Sequence, residues 1–126
     1  MERIIATGDK KLPTLNFDAE TGIVLIAGRC IPENSVEFFE PLMNWISSYS
    51  ESPNANTVLD IYLDYFNTSS SKCILDLLKT LEKVDKMGKT SLSVKWRYME
   101  EDEDMMEAGE DYASMVDVPF EIIEMD

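Results

Sequence analysis

Tyr65-Phe66-Asn67-Thr68-Ser69-Ser70-Ser71-Lys72 is the stretch on which the rest of the chain is organised. A period-two pattern ends in it and a helical pattern begins in it. On the upstream side, Thr57–Phe66 alternates: Leu59, Ile61, Leu63 and Tyr65 are set to one face, Val58, Asp60, Tyr62 and Asp64 to the other. That is the pattern of a half-buried strand. On the downstream side, Ile74, Leu77, Leu78, Leu81 and Val84 recur at helical spacing, while Lys72, Asp76, Lys79, Lys83 and Lys86 mark a wet face. A helix over Ser70–Met87 follows, closed by Gly88 just past its end.

Working outward, Leu92, Val94, Trp96 and Tyr98 alternate with Ser91, Ser93, Lys95 and Arg97, giving another strand. Its polar face is basic where that of Thr57–Phe66 is acidic. Asp60 and Asp64 are therefore expected to pair with Lys95 and Arg97 if the two strands are neighbours. Toward the N-terminus, Pro32-Glu33-Asn34-Ser35 opens a helix, with Asn34 or Ser35 as the cap. Val36, Phe39, Met43 and Ile46 form one apolar stripe on it, and Phe38, Leu42, Trp45 and Tyr49 a second. One stripe suffices to pack on a sheet; the second is either more core or a partner surface, and core is the expectation. Pro41 removes a helical hydrogen bond, so a kink or restart is expected there. Ser47–Asn56 reads as a loop. Thr14–Asp18 and Ile23–Ala27, joined by Ala19-Glu20-Thr21-Gly22, read as a hairpin. Residues 1–13 carry little periodic signal.

After residue 98 the composition changes. Residues 1–98 hold 13 acids and 11 bases; residues 99–126 hold 12 acids and no base. The net charge of −14 therefore belongs almost wholly to the last segment. A solvating acidic tail is the plain reading. Glu101–Ala113 also fits a short amphipathic helix that Gly109 weakens, and Val116–Ile123 a last edge strand. The order β-β-α-β-α-β-(α)-β points to an α/β class, one domain over 1–126, with a mixed sheet and helices mainly on one face.

Several functions are disfavoured by composition. With no histidine, Ser-His-Asp and Cys-His catalysis and most zinc sites are ruled out. Five glycines form no phosphate loop, and Glu100–Asp104 lacks the alternating ligands of a calcium loop. No cofactor or metal is expected, and the residues argue against an enzyme. Acidity disfavours nucleic acid and anionic membranes. No apolar run approaches the length of a membrane span, and Met1–Ala6 lacks the apolar core of a signal peptide. A cytoplasmic location is the expectation, with Cys30 and Cys73 as free, buried small hydrophobes.

The hydroxyl cluster has two readings. Asn67, Thr68, Ser69 and Ser70 are all good N-cap residues, and a strand-to-helix turn needs one. A phosphate here would sit at a helix N-terminus, where backbone N–H groups and the dipole favour negative charge. Phosphorylation would add about −1.5 to −2 charges at one spot. Asp64 and the acidic segment would oppose it if they lie close. Residue types alone leave Thr68, Ser69, Ser70 and Ser71 all open as acceptors.

Four segments together resemble one family. They are Gly28-Arg29-Cys30-Ile31-Pro32-Glu33-Asn34-Ser35 with Phe38-Phe39; Tyr65 to Lys72; Val94-Lys95-Trp96-Arg97-Tyr98; and Asp102-Glu103-Asp104-Met105 with Gly109-Glu110-Asp111. The chain resembles the SiaC family of bacterial regulatory phosphoproteins over roughly residues 10 to 123. The resemblance implies a fold similar to STAS-domain anti-sigma-factor antagonists. It implies phosphorylation at Thr68, with Ser69 and Ser70 as lesser alternatives, by a serine/threonine kinase, reversed by a metal-dependent phosphatase. It further implies that the unphosphorylated form binds a GGDEF-type diguanylate cyclase and stimulates cyclic-di-GMP synthesis, promoting aggregation and biofilm. The expected partner-binding residues are Asn67, Thr68, Ser69, Ser70, Lys72, Glu33 and Asn34. An anti-sigma-factor antagonist acting on transcription is the alternative, and a small metal-dependent enzyme using Asp102, Asp104 and Glu107 a third.

Overall fold

A computed structural model describes every residue from Met1 to Asp126. The elements are β1 (Ile4–Ala6), β2 (Thr14–Asp18), β3 (Ile23–Cys30), α1 (Ser35–Tyr49), β4 (Asn56–Phe66), α2 (Thr68–Lys86), β5 (Ser91–Met99), α3 (Glu103–Met115) and β6 (Phe120–Met125). One six-stranded sheet runs in chain order from β1 to β6. The β1–β2 and β2–β3 pairs are antiparallel, and β3 to β6 are parallel. Each parallel connection steps one strand onward in the same direction, so all three helices cover the same face. Their apolar sides and that face of the sheet form a single core of 23 buried residues, with Trp96, Phe17, Phe39, Ile61 and Leu77 among its most enclosed members. The other face carries no helix. The mixed sheet with helices on one face is thus as expected, and the N-terminal strand β1 is an addition. Three residues are too few to show a period, and β1 exists only through its pairing with β2.

Both stripes of α1 contribute to the core, through Phe39, Leu42, Trp45, Ile46 and Tyr49. Their N-terminal ends contribute less: Val36 is exposed, and Phe38 is half-buried at the edge of the core. The helix runs through Pro41 without a restart. It also extends to Tyr49, shortening the expected loop. Past α2, Gly88 takes φ +77°, and the N–H groups of Gly88 and Lys89 return to the carbonyls of Asp85 and Val84. This double closure satisfies carbonyls that the helix end leaves free.

Tyr65 is the clearest departure from the alternation. Gly28 of β3 pairs with Leu63, but the next residue, Arg29, pairs with Tyr65, so Asp64 is bulged out of the ladder. One inserted residue shifts every later side chain to the opposite face. Tyr65 therefore turns to solvent, at 54% exposure, and Phe66 turns inward against Trp96 and Tyr112. The charge pairing across the open face is half as expected. Arg97 makes two hydrogen bonds to Asp60, at 2.9 and 3.1 Å. Asp64 and Lys95 make no ion pair, Asp64 because the bulge removes it from that row.

The acidic end is folded, contrary to the plain reading of a solvating tail. Met105 and Tyr112 of α3 enter the core. Gly109, expected to weaken the helix, is where α3 crosses Trp96: a Cβ there would lie 2.4 Å from the indole Cδ1. The indole N–H donates to the Met105 carbonyl at 2.9 Å.

Candidate functional site: the paired helix starts

The parallel strands β3, β4 and β5 all lead into helices at their carboxyl ends. This edge gathers Pro32–Ser35, Phe66–Ser71 and Glu100–Asp104, together with the β1–β2 loop. In open α/β sheets this is the edge that binds. Because all helices lie on one face, however, no crevice opens between oppositely directed crossovers, and the edge offers a surface instead.

Asn67 caps α2: its Oδ1 accepts from the Ser70 N–H at 3.0 Å, and its Nδ2 donates to the Pro32 carbonyl at 3.1 Å. The helix therefore starts at Thr68, two residues earlier than the apolar periodicity indicates. Asn34 caps α1 in the same way, accepting from the Glu37 N–H at 3.1 Å. Ser35, the first residue of α1, is buried between the two starts. Its Oγ lies 2.7 Å from Ser69 Oγ, 3.1 Å from Ser70 Oγ and 3.4 Å from Asn67 Oδ1. Ser70 is fully buried, and the Cys30 thiol reaches its oxygen at 3.6 Å. Burial pushes the Cys30 thiol pKa up, keeping it neutral. Ser71 lies against α3: its Oγ is 3.1 Å from the Tyr112 hydroxyl, which donates to the Ser71 carbonyl at 2.8 Å.

Tertiary contacts thus separate the four hydroxyls that the residue types left equal. Ser69, Ser70 and Ser71 are each engaged. Thr68 alone faces solvent with a hydroxyl that makes no hydrogen bond. Lys72 is exposed one turn on, and Glu33 and Asn34 are exposed at the neighbouring start of α1. All seven residues of the expected surface are brought to one edge. Five of them are open, Asn67 is half-buried, and Ser70 is withdrawn into the interior.

The acidic groups also converge. Asp64, Asp102 and Asp104 line a small cavity of about 230 Å³ with Tyr65, Phe66, Met105 and Ala108. Asp102 is occupied as the α3 cap, accepting from the Met105 N–H at 3.0 Å. Glu107 lies outside this cavity, and no group of three or more acids or cysteines has a geometry that could hold a metal ion. No helix is long and apolar enough to cross a membrane.

Contributions that sequence reasoning missed come from Ser35 and Tyr112. In sequence, Ser35 reads as one of two candidate caps of α1, and Tyr112 as one apolar point on a weak helix. Their partners lie 34 and 41 residues away in the chain, so no local pattern reports them.

The fold is an α/β domain in which two capped helix starts, one carrying an exposed threonine, meet at the carboxyl edge of the parallel strands, and that is the class of domain the comparisons refine. Within that class, the chain belongs to the SiaC family of regulatory phosphoproteins, whose family model matches residues 6–125. It is 30% identical to the uncharacterized protein PA14_02130 of Pseudomonas aeruginosa (strain UCBPP-PA14), over 91% of this chain and 90% of that one. Solved structures agree. SiaC of Pseudomonas aeruginosa superposes with a TM-score of 0.89 at 27% identity, covering 99% of this chain and all of the other. A chain of the crystal structure of diguanylate cyclase SiaD in complex with its activator SiaC, from the same organism, matches with a TM-score of 0.89 at 29% identity, again covering 99% and 100%.

Proposed function

We propose that the chain is a non-enzymatic switch, phosphorylated at Thr68, whose unmodified form binds and activates a diguanylate cyclase and so raises cyclic-di-GMP. The carrying observation is the state of the Thr68 hydroxyl: exposed, unbonded, and at the first position of a helix whose other early hydroxyls are engaged. A kinase can reach it without opening the fold. The helix start stabilises the added charge, and Asp64, Asp102 and Asp104, which line a cavity with Tyr65 and Phe66 just upstream of the turn, make that end of the domain more anionic once it is modified. A partner that packs closely on the neutral turn then loses its fit, because the phosphate needs room and must give up its water there, while the fold persists. The solved complex of the relative SiaC with the cyclase SiaD supports a cyclase over an anti-sigma kinase as the partner. A serine/threonine kinase, a metal-dependent phosphatase and a cytoplasmic setting complete the reading, with residues 1–126 acting as one regulatory domain.

Intact-mass measurement on protein from its native host should show one added phosphate, mapped by fragmentation to Thr68. Thr68→Ala should keep cyclase binding and lose the modification. Thr68→Asp should weaken binding by about tenfold or more, the scale of a charge left without a partner in a buried contact. Wild-type affinity for Thr68→Asp together with a phosphate mapped elsewhere would sink the reading.

A further inference from the structure

Beside the paired helix starts lies a larger feature, an open trough of about 760 Å³ between α1 and the β1–β2 loop. Its apolar floor comes from Ile4, Leu12, Leu15, Phe38 and Leu42. Its rim carries three carboxylates, Asp9, Glu33 and Glu37, against one ammonium, Lys11, which is already paired with Glu33 at 3.5 Å. Pro41 also lines it and has no N–H, so the Glu37 carbonyl lacks the donor that a helix would supply four residues on. The trough thus presents acceptors and negative charge above an apolar floor.

It is also preformed. Asp9 Oδ1 accepts from the N–H groups of Lys11 and Leu12, at 2.8 Å each, which locks the loop wall. These two bonds hold the Asp9 carboxyl below its ordinary pKa, so it stays ionised. The Ile31 N–H donates to the Lys11 carbonyl at 2.8 Å, tying the same loop to the approach to α1. Pro32, part of the trough wall, accepts from Asn67, the residue before Thr68. The trough and the switch are therefore parts of one surface.

We propose that this trough seats a segment of the partner cyclase that presents apolar side chains flanked by Lys or Arg. The inference rests on the reading of the chain as a cyclase regulator and adds where, and by what chemistry, that enzyme is held. The occupant's charge follows from the rim, whose three carboxylates against one ammonium call for cationic N–H donors. A second copy of the chain fits poorly, since its net charge is −14. An anchor that lies beside Thr68, and not on it, lets phosphorylation act on a contact whose geometry is already set.

The test uses each full-length GGDEF diguanylate cyclase of the host, purified, with affinity measured for wild type, Glu33→Lys, Leu12→Ser and the distant control Glu51→Lys. The Glu33 side chain is 89% exposed and Leu12 38%, and thermal melting confirms that each variant is folded. Glu33→Lys and Leu12→Ser should each weaken binding by about tenfold, and the Glu33→Lys loss should shrink at high salt. Glu51→Lys, with the same charge change at the far end of α1, should bind as wild type does. Wild-type affinity for both trough variants, with Thr68→Asp weakened, would overturn the trough and leave the switch standing. An equal loss for Glu51→Lys would also overturn it, by reducing the effect to net charge. If no host cyclase binds the wild type, the functional reading itself fails and takes the trough with it.

Discussion

The starts of α1 and α2 are built from the same local chemistry. Each has an asparagine cap whose side chain accepts from the third helical N–H, Asn34 from Glu37 and Asn67 from Ser70. Each then opens on a hydroxyl residue, Ser35 or Thr68. Their fates are opposite. Ser35 is 3% exposed and bonded to the neighbouring turn, while Thr68 is open to solvent and bonded to nothing. The difference comes from sheet order. Because β3 and β4 are adjacent, their helices start side by side, and one start must face the other. Ser35 occupies the inside of that contact and organises the turn. Thr68 stands on the outside and is free to be changed. A buried, bonded hydroxyl and an exposed, unbonded one can thus share a motif and be told apart only by what they face.

Two substitutions should break this symmetry most strongly. Ser35→Ala leaves the Ser69 and Ser70 hydroxyls without their shared partner inside the protein. It should cost about 1–3 kcal/mol of stability, the usual penalty for a buried polar group left short of a bond. Thr68→Ala should change stability by no more than about 0.5 kcal/mol, as surface positions do. Urea denaturation of both variants checks the pair; equal losses would remove the distinction between the two hydroxyls.

The caps should differ by less. Asn67→Ala loses both the Ser70 contact and the bond to the Pro32 carbonyl, so a loss of about 1–2 kcal/mol is expected. Asn34 reaches only within its own first turn, to the N–H and carboxylate of Glu37. Asn34→Ala should cost about 0.5–1 kcal/mol. Thermal melts that rank Asn34 above Asn67 would contradict the tie between the two starts.

The smallest effect concerns the strap that only α2 has. Burial raises the Tyr112 pKa above the ordinary tyrosine value, with the Ser71 bond opposing weakly. A raised folded-state pKa favours the neutral form in the folded protein. The contribution is therefore complete below about pH 10, the unfolded value, and is lost as pH rises through the folded one. Stability should fall as pH climbs past about 10, and Tyr112→Phe should flatten part of that slope while leaving the share due to Tyr98, which burial also raises.

Much of the architecture was legible in the residues. Leu92, Val94, Trp96 and Tyr98 alternate, and they lie on the core face of β5 as the period requires. Ile74 through Val84 form the buried side of α2 for the same reason. Tyr65 breaks the rule because a bulge depends on how two strands register against each other, which one strand's pattern does not contain. The acidic end reads as a tail because its charges dominate its composition. It folds because Met105, Gly109 and Tyr112 meet Trp96, a contact that exists only once β5 is in place.

At the candidate site the division is sharper. Residue types alone determined that a strand would pass into a capped helix near Thr68, that hydroxyls would crowd that turn, and that no histidine-based chemistry would be present. Backbone propensity, capping and period are short-range properties, carried by residues within a turn or two of one another. Only the tertiary structure decided that Ser69, Ser70 and Ser71 are engaged while Thr68 is free. Each of these three hydroxyls is met by a side chain from another element, Ser35 from α1 or Tyr112 from α3.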